Sequence, residues 1–163
     1  MEEDNMRTQL YKYLCGKCNT SFKSPGISGE LYGEFLLWSE KNSEVAYLNA
    51  VKDPFFEEVE KIFDEVIKYK SIGSCDCVDM FQAVFSESCD TAIDGTKFRI
   101  DLQPICPNCG SRELSSWGPV KPIEYTTEDI KSVSHKHWAT LTYEKKKLLI
   151  ESAVTAYLAK TKR

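Results

Sequence analysis

Two short stretches of the sequence decide the fold: Cys15-Gly16-Lys17-Cys18 and Cys106-Pro107-Asn108-Cys109-Gly110. Each contains two cysteines separated by two residues, a spacing with which one turn directs two sulfurs at a single metal ion. In the second stretch, Pro107 restrains the turn, and Gly110 lets the backbone fold back so that its amides approach the sulfurs. The two pairs together therefore predict one metal site with four sulfur ligands.

This pattern resembles the zinc-ribbon family, in which two cysteine pairs at the tips of β-hairpins share one Zn(II) ion. The resemblance covers about residues 10 to 24 and 98 to 118 of the 163-residue chain. It implies one structural zinc ion with the ligands Cys15, Cys18, Cys106 and Cys109. Rubredoxin-like iron is the alternative, because that family also uses a Cys-Pro-x-Cys-Gly pair. Asn19-Thr20 replaces the glycine and aromatic residue expected there after the first pair, so zinc is preferred.

The chain departs from the family pattern in the spacer between the pairs, which runs over residues 19 to 105 and is 87 residues long. The length-dependent cost of closing such a loop is about 4 kcal/mol. Zinc in a structural thiolate site contributes on the order of 10 kcal/mol or more. Because the metal term is the larger, the site is expected to form across the insertion.

Strands and helices are predicted around the cysteine pairs from periodicity and turn residues. The predicted strands are residues 10–14, 20–23, 31–38, 45–48 and 96–102. A helix is predicted from Asp53-Pro54 to Gly73, a second one from Ser74 to about residue 88, a short one through Ile130 and Val133, and a last one from Thr142. The segment after Cys109-Gly110 is predicted to be extended and irregular.

These elements predict an α+β fold in three parts that form one compact unit. Residues 1–24 and 98–125 are predicted to form the split zinc ribbon. Residues 25–97 are predicted to form an acidic α+β insertion with an antiparallel hairpin and helices, and residues 126–163 a basic helical segment. The first predicted helix of the insertion has one apolar face, which indicates that it packs on the core. The residues of that face are Phe55, Phe56, Val59, Ile62, Phe63, Val66 and Ile67.

Charge is segregated along the chain, although 21 basic and 25 acidic residues give a net charge of only −4. Residues 30 to 101 have 16 acidic and 7 basic residues, whereas residues 131 to 163 have 8 basic and 2 acidic residues. The overall acidity argues against a general nucleic-acid binder. The acidic part is expected to recognise a basic protein partner, as an inhibitor, an immunity-type protein or an adaptor does.

Catalysis is not expected, because four sulfur ligands leave zinc no open position for water or substrate. The sequence also has no glycine-rich phosphate loop, nucleophile elbow or His-Glu-x-x-His motif, and no small-molecule substrate is indicated. The alternative is a nucleic-acid-binding zinc ribbon that uses the C-terminal helix. Its candidate residues are Lys145, Lys146, Lys147, Lys160, Lys162 and Arg163.

Three further cysteines, Cys75, Cys77 and Cys89, leave several interpretations open. They are expected to be small, semi-buried side chains packed beside aromatic residues. Together with His135 or His137 they would form a second metal site, and Cys75 or Cys77 at a helix start would serve a thiol enzyme. The two histidines themselves are expected to face solvent.

The chain is expected to be a cytoplasmic protein with reduced thiols. Its seven cysteines are an odd number, which does not suit a complete disulfide framework. The acidic start Met1-Glu2-Glu3-Asp4 is unlike a signal peptide. No stretch approaches the roughly 18 apolar residues that a membrane span needs, so no membrane association is expected.

Overall fold

The structure is a computed structural model that describes residues 7–27, 33–127 and 129–161, without the side chains of Ser74 and Cys75. The described strands are β1 (Leu10–Cys15), β2 (Ser21–Pro25), β3 (Glu34–Ser39), β4 (Val45–Asn49), β5 (Phe98–Arg99) and β6 (Leu114–Pro119). The described helices are α1 (Phe56–Ile67), α2 (Ser74–Val84), α3 (Lys136–Ala139) and α4 (Tyr143–Thr161). A 3-10 turn, Phe85–Ser88, follows α2. The predicted α+β class is confirmed.

The first sheet has the strand order β2-β1-β6 and is antiparallel throughout. Tyr13 in its central strand lies opposite Phe22 on one side and Trp117 on the other. The predicted hairpin of β1 and β2 is confirmed. The segment after the second cysteine pair is not irregular as predicted, because β6 pairs with the edge of β1 that the hairpin leaves open. The sheet therefore unites chain segments from both sides of the insertion.

The end of this sheet depends on Gly26, which follows β2. A Cβ atom at this position would lie closer than 3.0 Å to three atoms of the Tyr11 ring. We expect Gly26→Ala to lower the free energy of unfolding by about 1–3 kcal/mol, because overpacking forces the ring to move. Gly118→Ala is the matched control in the same sheet, since its Cβ would have no neighbour within 4 Å. Urea unfolding of both variants checks this expectation, and equal losses would contradict it.

The second sheet has the order β4-β3-β5 and is also antiparallel. The predicted hairpin of β3 and β4 is confirmed over the described residues, whereas predicted strand residues 31 and 32 lie outside them. The strand predicted for 96–102 is reduced to Phe98–Arg99, because the chain turns at Ile100 and Asp101 towards the second cysteine pair.

The main hydrophobic core lies between the second sheet and the helices. Asp53 accepts a hydrogen bond from the Phe55 amide at 2.9 Å, and α1 begins at Phe56 and ends at Ile67, earlier than Gly73. Its predicted apolar face packs into the core, where Val59, Ile62 and Phe63 are buried. Helix α4 packs against both α1 and α2. Three residues of the C-terminal segment also lie in this core: Trp138, Ile150 and Val154.

The helix predicted through Ile130 and Val133 is wrong. This segment instead runs beside the outer edge of β4, where the Tyr47 amide donates to the Lys131 carbonyl at 2.9 Å. A helix forms only later, at α3, because Asp90 accepts hydrogen bonds from the amides of Lys136 and His137 at 2.9 and 3.1 Å. Glu128, just before the predicted helix, lies outside the described residues.

Candidate metal centre

The two cysteine pairs meet at one end of the first sheet. Cys15 ends β1 and Cys18 lies in the turn before β2, whereas Cys106 and Cys109 lie in the connection between β5 and β6. All four Sγ atoms lie within 4.8 Å of one another. The Cys15–Cys109 and Cys18–Cys106 sulfur distances are 3.5 and 3.6 Å. Tetrahedral zinc with Zn–S bonds of about 2.3 Å places its sulfurs about 3.8 Å apart, so the geometry fits this ion.

The two turns have the same backbone construction. The Asn19 amide donates to the Cys15 carbonyl at 3.1 Å, and the Gly110 amide donates to the Cys106 carbonyl at 2.9 Å. Asn19 and Gly110 both have positive φ angles, of 60° and 75°. Asparagine is among the few residues other than glycine that tolerate this conformation. Asn19 thus has the same role in the first turn as Gly110 has in the second. Sequence reasoning missed this equivalence.

The surroundings of the four sulfurs shift the pKa values of the cysteines in different directions. The Thr20 hydroxyl, 3.1 Å from Cys18 Sγ, and the Asn108 amide, at 3.5 Å, lower the pKa of Cys18 to about 5. The Ser111 amide lowers the pKa of Cys109. Desolvation and the neighbouring sulfurs act in the opposite direction and together outweigh it, so the pKa is raised to about 11. Neighbouring thiolates repel one another, and a divalent cation between them favours the ionised form of all four. The donor set is therefore chemically suited to a metal ion, and four sulfurs are a typical ligand set of structural zinc.

The remaining predicted ligands are placed elsewhere. Within residues 7–27, 33–127 and 129–161, the four-cysteine cluster is the only group of three or more candidate ligands at metal-binding distance. Burial raises the pKa of the Cys89 thiol to about 12, so this thiol is not activated. Cys77 is half-buried in α2, and the side chain of Cys75 lies outside the described part. A second metal site that involves Cys75 stays a prediction, as does a thiol nucleophile at Cys75 or Cys77.

The expectation that both histidines face solvent is wrong for His135. Its ring is buried, and it contacts the Ser88 carbonyl through Nδ1 at 2.6 Å and Asp53 Oδ2 through Nε2 at 2.7 Å. Both ring nitrogens therefore have protein partners, whereas His137 is exposed. The overlooked sign is Asp53 at the predicted start of the helix, because Oδ1 accepts from the Phe55 amide and Oδ2 remains to bind His135.

The buried His135–Asp53 pair makes stability depend on pH. Burial lowers the pKa of His135. Hydrogen bonds to Asp53 and the Ser88 carbonyl and the charge of Asp90 outweigh this effect, so the pKa is raised above its usual value. The unfolded value is about 6.5, so the stabilisation is complete below that pH and is lost as pH rises through the higher folded value. We expect the difference in unfolding free energy between wild type and His135→Gln to shrink as pH rises from 6 to 9. Urea unfolding checks it, and a difference that grows with pH would contradict it.

The lysines considered for nucleic acid do not form one free basic surface. Lys146 is buried, donates to Glu58 Oε1 at 2.8 Å, and lies over the rings of Phe55 and Trp138. Lys147 lies 4.0 Å from a carboxylate oxygen of Glu65. Lys145 and Lys160 are exposed, and the two remaining candidates, Lys162 and Arg163, lie outside the described residues.

No protein-family model, curated protein or solved structure matches this chain. Across the helices that the structure describes, none combines the length and apolar character needed to cross a bilayer. The geometry of the cysteine cluster and the chemistry of the surface are therefore the basis for the function proposed below.

Proposed function

We propose that this chain is a zinc-stabilised, non-catalytic binding protein that recognises a basic protein partner. The four-sulfur cluster supports a structural zinc ion held as in a zinc ribbon, with Cys15, Cys18, Cys106 and Cys109 as ligands. Four protein ligands leave zinc no position at which to activate water or substrate. The metal then serves the fold, and function resides in the surface.

The observation that carries this proposal is the charge on the exposed sides of α1 and α2. We call Glu60 and Asp64, which lie four residues apart on one side of α1, the acidic surface, and Asp76 and Asp79 on α2 add further carboxylates. All four side chains are exposed, and none has an ion-pair partner among the described residues. The two helices are neighbours, because the rings of Phe63 and Phe81 lie 5.4 Å apart between them. Uncompensated negative charge on packed helices favours a positively charged protein and accelerates its association.

Affinity capture tests this function directly. Immobilised protein is incubated with nuclease-treated cell extract, and retained proteins are eluted with increasing salt and identified. We expect wild type to retain a basic protein that elutes with salt, because the attraction between exposed charges is screened. The variant Glu60→Lys with Asp64→Lys is expected to lose that protein. An inhibitor, an immunity-type protein and an adaptor all predict this result and differ in the partner captured.

The matched control changes the same amount of charge elsewhere. Glu144 and Glu151 are exposed on α4, and Glu144→Lys with Glu151→Lys is expected to retain the partner. If both double variants lose it equally, net charge rather than the acidic surface is responsible. If a parallel extract without nuclease treatment yields a bound partner and the treated extract yields none, the nucleic-acid alternative replaces this proposal.

A further inference from the structure

A groove of about 270 Å³ lies between the first sheet and β3. It has a mixed polar and apolar lining and is distinct from the cysteine cluster and the acidic surface. We call it the aromatic groove, because its lining includes five aromatic residues and one acidic residue. These residues are Tyr11, Tyr13, Glu34, Phe35, Trp38 and Trp117.

The strand registers explain why rings collect there. Tyr11 and Tyr13 lie on the same face of β1, with ring centroids 6.5 Å apart, and Trp117 lies directly opposite Tyr13 on β6. Glu34 and Trp38 share the other wall, because side chains four positions apart on a strand point to the same face. The alternation in two separate sheets thus brings π faces and a carboxylate to one groove.

Glu34 gives the groove its charge preference. It is the only charged residue among the described residues that line the groove. Its Oε1 atom accepts a hydrogen bond from the Tyr47 hydroxyl, whereas Oε2 has no hydrogen-bond or ion-pair partner in the described part of the chain. The faces of the aromatic rings also attract cations. Both features favour a positively charged ligand over a neutral or negative one.

Trp38 supplies a donor in the same groove. Its indole N–H bonds to none of the described residues, and this atom is not fully buried, because Thr8 Oγ1 is the one buried side-chain polar atom without a partner among them. An indole N–H is a donor only, so this accessible group can bond a ligand carbonyl. A peptide provides a cationic side chain and a carbonyl together. Among cationic side chains, the planar guanidinium of arginine stacks on aromatic rings and pairs with a carboxylate through two hydrogen bonds.

We propose that the aromatic groove binds an arginine side chain of the basic partner, between the aromatic rings and Glu34. This inference rests on the proposed function, because it names the residue type that the partner presents. The guanidinium pairs with Glu34 and stacks on the rings, and the Trp38 indole donates to a backbone carbonyl of the bound segment. The acidic surface attracts the partner, and the groove recognises one of its residues.

The test uses N-acetyl-arginine amide as the probe, titrated into the full chain. The indole N–H signals of Trp38 and Trp117 are followed by NMR. We expect saturable shifts with a dissociation constant in the millimolar range, as a single side chain provides few contacts. N-acetyl-citrulline amide, which has nearly the same shape without the charge, is expected to bind at least about fivefold more weakly. N-acetyl-lysine amide is also expected to bind more weakly than the arginine probe. Equal binding of either control would overturn the assignment to arginine.

Two variants locate the binding. Glu34→Gln and Trp117→Ala are each expected to weaken the arginine probe about fivefold or more. Trp117 is 63% exposed, so its replacement leaves the fold intact and gives a result even if Glu34→Gln does not fold. Tyr69→Ala is the matched control, since Tyr69 is an exposed aromatic residue that does not line the groove. Unchanged affinity in Trp117→Ala, or an equal loss in Tyr69→Ala, would overturn the proposal.

The outcome is separable from that of the proposed function. If the extract yields a basic partner that requires Glu60 and Asp64, but the arginine probe does not bind, the groove inference fails and the proposed function stands. If the probe binds with the expected variant pattern and no basic partner is captured, arginine recognition stands alone and the proposed function fails.

Discussion

Cys106→Ser is expected to abolish metal binding and to unfold the first sheet. Cys106 is 1% exposed, and its sulfur lies 3.6 Å from that of Cys18. Zinc bound to such a site contributes on the order of 10 kcal/mol, comparable with the total stability of about 5–15 kcal/mol of a typical domain. We expect the metal content of purified protein to fall from one zinc ion per chain to none. Backbone NMR signals of residues in β1, β2 and β6 should collapse to unfolded positions.

The effect should be confined to this part of the chain. The helices and the second sheet have their own core, so their signals are expected to remain dispersed after the metal is lost. Cys77→Ser is the matched control, because it removes a described cysteine outside the cluster and should retain one zinc ion. A folded, metal-free wild type, or iron in place of zinc, would refute the structural zinc site.

Trp138→Ala is expected to lower the free energy of unfolding by about 3–5 kcal/mol. Trp138 is 1% exposed and belongs to the main core, so truncation leaves a large cavity. Its indole N–H also donates to Glu58 Oε1 at 2.8 Å, and the Lys146 ammonium lies 5.4 Å from its ring centroid. For a chain of this size each kcal/mol shifts the midpoint by about 2–4 °C, so the midpoint should fall by about 6–20 °C.

Calorimetry or thermal circular dichroism measures this midpoint. Trp117→Ala removes the same side chain at a position that is 63% exposed, and it should change the free energy of unfolding by less than about 1 kcal/mol. Similar losses in the two variants would mean that Trp138 does not anchor the core.

Local sequence patterns predicted the cysteine cluster and most of the strands and helices. The spacing within each cysteine pair indicates a metal-binding turn. The apolar face of α1 indicates a helix that packs on a core, so both features could be predicted without tertiary information. The hairpins were also local features, because each combines alternating strands with a short turn. The hairpins and the face of α1 needed only neighbours in the sequence, whereas the union of the two cysteine pairs followed from the four ligands that zinc requires.

Three of the failures depend on distant partners. Residues 130 and 133 have helical spacing, but the outer edge of β4 captures this segment. His135 looked like part of a polar surface run until Asp53 and Ser88 enclosed it. Lys146 looked like part of a basic patch, yet Glu58 and two aromatic rings hold it in place. The side-chain hydrogen bonds of His135 and Lys146 join them to residues 47 to 88 positions away.

The packing of α4 on α1 and α2 has a consequence for how the polypeptide matures on the ribosome. The apolar face of α1 leaves the exit tunnel long before Trp138, Ile150 and Val154, which lie against the same core. Until those residues emerge, the nascent insertion exposes the apolar face of α1, a hydrophobic surface of the kind that holdase chaperones bind. Stalled chains that end before residue 138 should therefore remain chaperone-bound, and release should coincide with the emergence of α4.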